Sequence, residues 1–172
     1  MDKSYFPILI NLLRGVSKVM DTDLNESAKN VGLTLTELNL LWTIFYEEEP
    51  TVSRIAELTL LDASTVTQVL SRLKNKKLVI SYKKREDNRF SYVMLTDKGN
   101  EKRKLSIIYN KYIFFEFLKK EMETPEEKEK IEISLNYLKK INLYFHGEEF
   151  VNWVYSLPEK FDMDFNENRN HS

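Results

Sequence analysis

Residues 62–73 have the sequence DASTVTQVLSRL, and this stretch carries the main indication of the fold. Its aliphatic residues recur at steps of three and four, the spacing of one buried helix face; they are Val66, Val69, Leu70 and Leu73. Asp62 stands where a helix N-cap is expected, so the pattern predicts a helix over about 63–75. The remaining positions then face outward, and they are Ser64, Thr65, Thr67, Gln68, Ser71 and Arg72.

The segments on either side of this helix predict a winged helix-turn-helix. Before it, apolar periodicity predicts helices over roughly 4–29 and 53–60, and Thr34 and Glu37 have the capping-box spacing that begins another helix. After it, residues 78–82 (LVISY) and 90–95 (FSYVML) are rich in β-branched and aromatic residues, and a polar loop joins them as in a hairpin. We therefore predict a mainly α fold with a small β-hairpin, in which residues 63–75 form the recognition helix.

The C-terminal half is predicted to be helical, with breaks. Thr96 and Asp97 cap a helix that should extend to about Met122, and the run TPEE at 124–127 restarts another. His146-Gly147 should interrupt that helix, Pro158 should end the next one, and a flexible acidic tail should follow from Glu159. This gives an N-terminal dimerisation helix at 1–34, the winged helix-turn-helix at 35–100, C-terminal dimerisation helices at 101–158 and the tail at 159–172.

The outward face of the helix at 63–75 has the chemistry of a DNA-reading surface. It combines hydroxyls, an amide and a guanidinium; Gln pairs bidentately with adenine and Arg with guanine. No acidic residue lies between Asp62 and Glu86, and Lys74, Lys76 and Lys77 follow where phosphates would lie. A solvated helix without this function usually carries more Glu and Lys, so the pattern favours contact with double-stranded DNA.

Charge is unevenly distributed along the chain. The formal net charge is -1, yet residues 51–104 contain thirteen basic and six acidic residues, a local net charge of +7. Such asymmetry is a pointer to a nucleic-acid surface, although charge alone would favour a solvated basic face.

Composition excludes several other classes of function. Cysteine is absent, which removes disulfides, thiolate metal sites and cysteine nucleophiles. His146 and His171 are the only histidines, and the acidic cluster near Glu126 is what a helix N-terminus prefers. No phosphate-cradling Gly loop and no membrane-spanning run is present. We therefore expect no enzyme activity, no cofactor, no metal and no membrane contact, and a cytoplasmic protein.

Several short motifs together resemble the MarR family of bacterial transcription regulators. They are TVSRIA at 51–56, DASTVT at 62–67, Arg72-Leu73, Leu78-Val79, Asp87-Asn88-Arg89 and LTDKG at 95–99. The sequence HGEEF at 146–150 and the acidic tail are similar to the Hpr (ScoC) subgroup, which represses protease and sporulation genes. The resemblance implies a homodimeric repressor on pseudo-palindromic operators.

The resemblance also assigns a DNA-binding role to the loop between the two strands. Lys84, Arg85 and Arg89 lie in or beside this loop, and the arginine at the position of Arg89 enters the minor groove in the family. Asp87 is an acid in a loop that faces DNA, so we expect it to hold a guanidinium, either that of Arg89 or that of Arg72.

Two positions depart from the family pattern. Many relatives have Arg where Gln68 stands, so a base preference is not transferable. Many have Gly where this chain has Lys77, and a left-handed backbone there would cost about 1–2 kcal/mol.

Two alternatives remain open at the sequence level. A winged-helix protein-interaction module is the first, although an outward Ser, Thr and Gln set is unlike a protein-binding hot spot. A small-molecule effector site is the second: residues 107–118 are apolar nearly all round, and members of the family bind phenolic ligands near such helices. We favour a dimer core for this segment, since aromatic stripes at helical spacing usually pack.

Overall fold

The computed structural model describes residues 5–84, 89–108 and 112–169, which form seven helices and one two-stranded sheet. The helices are α1 (Tyr5–Asn30), α2 (Leu35–Glu47), α3 (Val52–Thr59), α4 (Ala63–Asn75), α5 (Asp97–Ile108), α6 (Ile113–Glu121) and α7 (Pro125–Arg169). The strands are β1 (Val79–Tyr82) and β2 (Tyr92–Leu95). The predicted fold class, mainly α with a small hairpin, is confirmed.

Helix α2 lies at the centre of the core. It begins at the predicted capping box, in which the Glu37 N–H donates to Thr34 Oγ1 (3.2 Å) and the Thr34 N–H donates to Glu37 Oε2 (2.9 Å). Its buried residues pack in one cluster with α3, α4 and the sheet. The inner face of α4 is buried as predicted, at Val66, Val69, Leu70 and Leu73.

The two strands pair antiparallel, with Val79 opposite Leu95 and Tyr82 opposite Tyr92. Val79 of β1 and Val93 of β2 are buried in the hydrophobic core. The segment before α3 extends this sheet, because Thr51 bridges Tyr92 and the Val93 N–H donates to Pro50 O (3.0 Å). The hairpin is thereby attached to the helix-turn-helix on two sides.

The single helix predicted from Asp97 to about Met122 is wrong. Helix α5 ends at Ile108, Tyr112 has an extended backbone (ψ 92°), and α6 begins at Ile113. The reason is a distant cap: the carboxylate of Asp23 in α1 accepts a hydrogen bond from the Phe114 N–H (2.8 Å). A buried partner for a first-turn amide fixes a new helix start that the local sequence does not reveal.

Helix α7 has the predicted break but not the predicted end. Gly147 interrupts the helix with φ 81° and ψ 174°, a region that glycine adopts readily. The backbone then stays helical through Pro158 to Arg169, so the helix end predicted at Pro158 is wrong. The segment docks on α2: Lys160 Nζ donates to Tyr46 O, and the ring of Phe161 lies 6.1 Å from that of Trp42.

Candidate nucleic-acid interface

Helix α4 presents one polar face to solvent. Its exposed side chains are Ser64, Thr67, Gln68, Ser71, Arg72 and Lys74, while Thr65 is half-buried. The opposite face contacts α2 and α3, so the packing of the aliphatic residues fixes which side of the helix is outward. Gln68 and Ser71 make no side-chain hydrogen bond to any residue that the structure describes, and both remain available to an external partner.

The N-terminal end of α4 is organised by Asp62. Asp62 is the N-cap, as predicted, but its carboxylate accepts hydrogen bonds from the hydroxyls of Thr65 (2.9 Å) and Ser64 (3.1 Å) rather than from a backbone amide. These two hydrogen bonds lower the pKa of the Asp62 carboxyl. The ionised group orients both hydroxyls at the start of the outward face, where the helix dipole also favours a negative charge.

The C-terminal end of α4 has a Schellman motif. The Leu78 N–H donates to Leu73 O (3.0 Å) and the Lys77 N–H donates to Lys74 O (2.9 Å). Lys77 takes the left-handed conformation, with φ 59°, as its position in the family pattern suggested. The chain then turns back toward Gly99, where an added β-carbon would lie only 2.0 Å from Leu78 O. Glycine in the LTDKG motif is therefore required by close backbone packing.

Lys76 makes an ion pair beneath the helix end. Its Nζ donates to Glu37 Oε2 (2.7 Å), and the carboxylate of Glu37 is 1% exposed. Burial alone would raise the pKa of Glu37, but hydrogen bonds from Lys76 and the Thr34 backbone outweigh it and hold that pKa below its usual value. Arg72 also approaches this carboxylate, with Nε 3.8 Å from Oε1.

The strand loop is the second predicted DNA contact. Lys84 pairs with Glu49 Oε2 (3.0 Å) and lies over the ring of Tyr92, 4.3 Å from its centroid. Hydrogen bonds from Tyr82 and Lys84 lower the pKa of Glu49. Arg89 is exposed, with its guanidinium 5.6 Å from the centroid of the Phe90 ring. Arg85 and Asp87 lie outside the described residues, so the proposed pairing of Asp87 stays a prediction.

Two basic residues counted in the +7 segment are not part of the outward face. Arg103 is fully buried, with its guanidinium 3.5 Å from the Phe45 ring centroid and 4.6 Å from that of Trp42. Arg54 pairs with Glu47 (2.9 Å) and Glu149 (2.5 Å). Sequence reasoning missed both roles; the nearest signal is the acidic run at 47–49 before Arg54.

The same part of the chain offers no metal centre. Within the described ranges, no three His, Asp or Glu side chains are grouped so that they could hold a metal ion. Among the described helices, none combines the length and the apolarity that a membrane crossing needs.

Comparison with known proteins finds similar sequences among transcriptional regulators. The sequence model of the "Transcriptional regulator SarA/Rot" family matches residues 24–105, which contain α2–α4, the hairpin and most of α5. The HTH-type transcriptional regulator YdgJ of Bacillus subtilis is 32% identical over 90 residues, and Hpr of Geobacillus thermodenitrificans is 28% identical over 93 residues. These alignments cover 52% and 54% of this chain, and 53% and 46% of the two relatives. The chain thus spans about half the length of the curated relatives it matches.

Solved structures match over more of the chain. The crystal structure of YusO from Bacillus subtilis is 26% identical with a TM-score of 0.56, covering 81% of this chain and 96% of YusO. A MarR variant from E. coli, crystallised with operator DNA, has a TM-score of 0.66 at 23% identity, covering 78% of this chain and 95% of MarR. The chain therefore has the winged-helix fold of these structures.

This fold agrees with the resemblance to the MarR family found in the sequence, and Hpr proteins are among the relatives with a similar sequence. The relatives are named as transcriptional regulators. Helix α4 is the last of the three helices, α2, α3 and α4, that precede the hairpin.

Proposed function

We propose that this protein is a homodimeric transcriptional regulator that binds double-stranded DNA at pseudo-palindromic operators and acts as a repressor. Each protomer inserts α4 into the major groove, with Gln68 and Arg72 reading base edges and Lys74 neutralising a phosphate. Arg89 at the end of the strand loop enters the adjacent minor groove, where narrow A·T-rich segments attract an arginine.

The observation that carries the proposal is the outward face of α4. It holds an amide, three hydroxyls and a guanidinium without an acidic side chain beyond the N-cap. Such groups recognise bases in the major groove, whereas a protein-binding surface favours large apolar anchors. A relative of the same fold, MarR of E. coli, was crystallised with operator DNA, which supports the same partner for this chain.

The exposed apolar side chains of α1, α6 and α7 support the dimer. Phe6 and Leu12 of α1, Phe115 of α6, and Tyr144 and Phe145 of α7 are all more than half exposed in the single chain. Soluble monomers rarely expose contiguous apolar patches of this kind. A two-fold dimer would cover them and place the two copies of α4 about 34–36 Å apart, or a multiple of that distance.

Selection of bound DNA from random duplexes at two salt concentrations tests the function. We expect enrichment of an inverted repeat that persists at the higher salt concentration. Uniform, salt-sensitive binding would indicate a nonspecific DNA coat instead, because phosphate contacts alone are strongly screened. Absence of duplex binding at both salt concentrations would favour the protein-interaction alternative.

A further inference from the structure

A buried carboxylate joins the start of α2 to the end of α4. Glu37 Oε2 accepts hydrogen bonds from the Thr34 N–H (2.9 Å) and from Lys76 Nζ (2.7 Å), although the Glu37 side chain is 1% exposed. Lys76 Nζ also lies 3.4 Å from Gly32 O in the turn before α2. The same lysine therefore contacts the turn before α2 at Gly32 and the first turn of α2 at Glu37, which are 44 and 39 residues away along the chain.

Lys76 differs in this respect from the lysines beside it. All three lysines are exposed, but the Lys74 and Lys77 side chains make no ion pair with a described residue, whereas Lys76 does. The charge of Lys76 is instead balanced by a carboxylate that has no access to solvent. A buried carboxylate needs its partner, because separating the pair leaves an uncompensated charge in the protein.

We propose that Glu37 and Lys76 form a neutral latch: Lys76 is not a phosphate ligand, and Glu37 is a positioning residue for the reading helix. The latch holds the end of α4 against the α1–α2 turn, and the second carboxylate oxygen of Glu37 faces Arg72 Nε at 3.8 Å. Of the lysines at the helix end, Lys74 and Lys77 then remain to meet phosphates. This inference rests on the proposed function, since it assigns roles within the DNA interface.

The salt dependence of DNA binding distinguishes a latch from a phosphate contact. Each phosphate neutralised by a protein cation adds about 0.9 to the slope of log Kd against log salt concentration on B-DNA. A lysine paired with a buried carboxylate contributes no such increment, because the pair carries no net charge. Removing an ordinary structural contact leaves this slope unchanged. Removing the charge of Glu37 instead releases the Lys76 ammonium group toward DNA and should raise the slope.

The experiment measures this slope for the full chain on a 40-base-pair duplex of random sequence. We expect Lys74→Met to lower the slope by about 0.9 and Lys76→Met to leave it unchanged. Glu37→Gln keeps an acceptor for the Thr34 amide but removes the charge, so it should raise the slope by about 0.9 as Lys76 is released. The double variant Glu37→Gln/Lys76→Met should return the slope to that of the parent.

Two results would overturn the latch: a decrease for Lys76→Met equal to that for Lys74→Met, or an unchanged slope for Glu37→Gln. Circular dichroism verifies that each variant is folded. If a single variant does not fold, the slope of the double variant is measured in its place. Failure of the proposed function gives a different result, namely no salt-dependent binding by the parent. In that case a double-mutant cycle on urea unfolding decides the latch, which predicts non-additive effects of Glu37→Gln and Lys76→Met.

Discussion

At Lys77 the backbone has φ 59°, a conformation in which a β-carbon crowds the following carbonyl. We expect Lys77→Gly to raise the free energy of unfolding by about 0.5–1 kcal/mol. The relief of backbone strain stabilises the folded chain, and the larger conformational entropy of glycine in the unfolded chain offsets part of this gain. Urea unfolding followed by circular dichroism measures the change. Lys77→Ala is the matched control, since it removes the charge but keeps the strain; equal stabilisation by Ala would show that charge is responsible.

Glu37 should make stability dependent on pH. Its pKa is lowered in the folded protein by the hydrogen bonds from Lys76 and Thr34, which exceed the opposing effect of burial. The ionised form thus stabilises the fold above the unfolded pKa of about 4.3, and this contribution is lost as the pH falls through the lowered folded value.

We expect Glu37→Gln to lower the free energy of unfolding by about 1.5–3 kcal/mol at pH 7, the range for hydrogen bonds to charged groups. The difference from the parent should narrow progressively below about pH 4. Urea titrations at a series of pH values measure it. Glu126→Gln, at an exposed surface pair with Lys130, is the control and should change little at any pH. A difference that is constant from pH 7 to pH 3 would contradict the role of the ionised carboxylate.

Gln68 is expected to read a base. Its side chain is exposed on α4, one helical turn from Ser64 and on the side opposite Val66 and Leu70. We expect Gln68→Ala to weaken the best selected duplex by about 1–3 kcal/mol and random duplex little, with relaxed preference at one base pair. Lys74→Ala should weaken both duplexes alike. Equal losses on both duplexes for Gln68→Ala would mean that α4 does not read sequence.

At the scale of elements, helix starts and faces set by neighbouring residues were predictable from sequence. The capping box at Thr34 and Glu37 and the aliphatic spacing of α4 are local signals, and both correspond to the structure. The outward residues of α4 follow from the same spacing. The roles within the site were less predictable, because the ion pair of Glu37 and Lys76 joins residues 39 positions apart.

Helix ends set by distant partners were not predictable. The start of α6 depends on Asp23, which is 91 residues from Phe114, and nothing in the sequence around Tyr112 indicates a break. Proline at 158 locally indicates a helix end, since it removes one hydrogen bond of the helix. Docking of the following turn on Trp42 and Tyr46 retains the helical backbone.

The docked segment of α7 gives a prediction at this scale. Phe161→Ala removes a half-buried ring from Trp42 and should lower the free energy of unfolding by about 1–2 kcal/mol. Unfolding monitored by tryptophan fluorescence measures this effect. Glu159→Ala, two residues earlier at an exposed position, is the control. A flexible tail would give no change for either variant.

At the scale of the whole molecule, charge and apolarity are concentrated on different surfaces. Within residues 51–104, most of the exposed basic residues lie on α4, directly after it or beside the strand loop, whereas most of the exposed large apolar residues of the described chain lie on α1, α6 and α7. Burial of Arg103 and pairing of Arg54 reduce the positive surface below the +7 counted along residues 51–104. Affinity for DNA should therefore depend on a few cations around α4 rather than on the charge of the whole segment.

The apolar surface should bring two copies of the chain together. Ile133, Ile141 and Phe145 of α7 are respectively 53%, 49% and 70% exposed, and α1 presents a further row that includes Phe6 and Leu9. Obligate dimer interfaces of this apolar kind bury about 2,000 Å² or more in total. Sedimentation at low micromolar concentration should therefore give twice the chain mass of 20.5 kDa.

A charge in this surface should separate the copies. Ile141→Glu places a carboxylate within the apolar row, and we expect a shift toward monomer together with weaker binding to the selected inverted repeat. Asn136→Glu adds the same charge on the other side of α7, where the side chain is exposed and polar. This control should leave the monomer–dimer equilibrium and the affinity for the inverted repeat unchanged. The comparison also separates assembly from DNA contact, because neither position lies near α4. A parent protein that sediments as a stable compact monomer would contradict the dimer, and the apolar rows would then need another occupant.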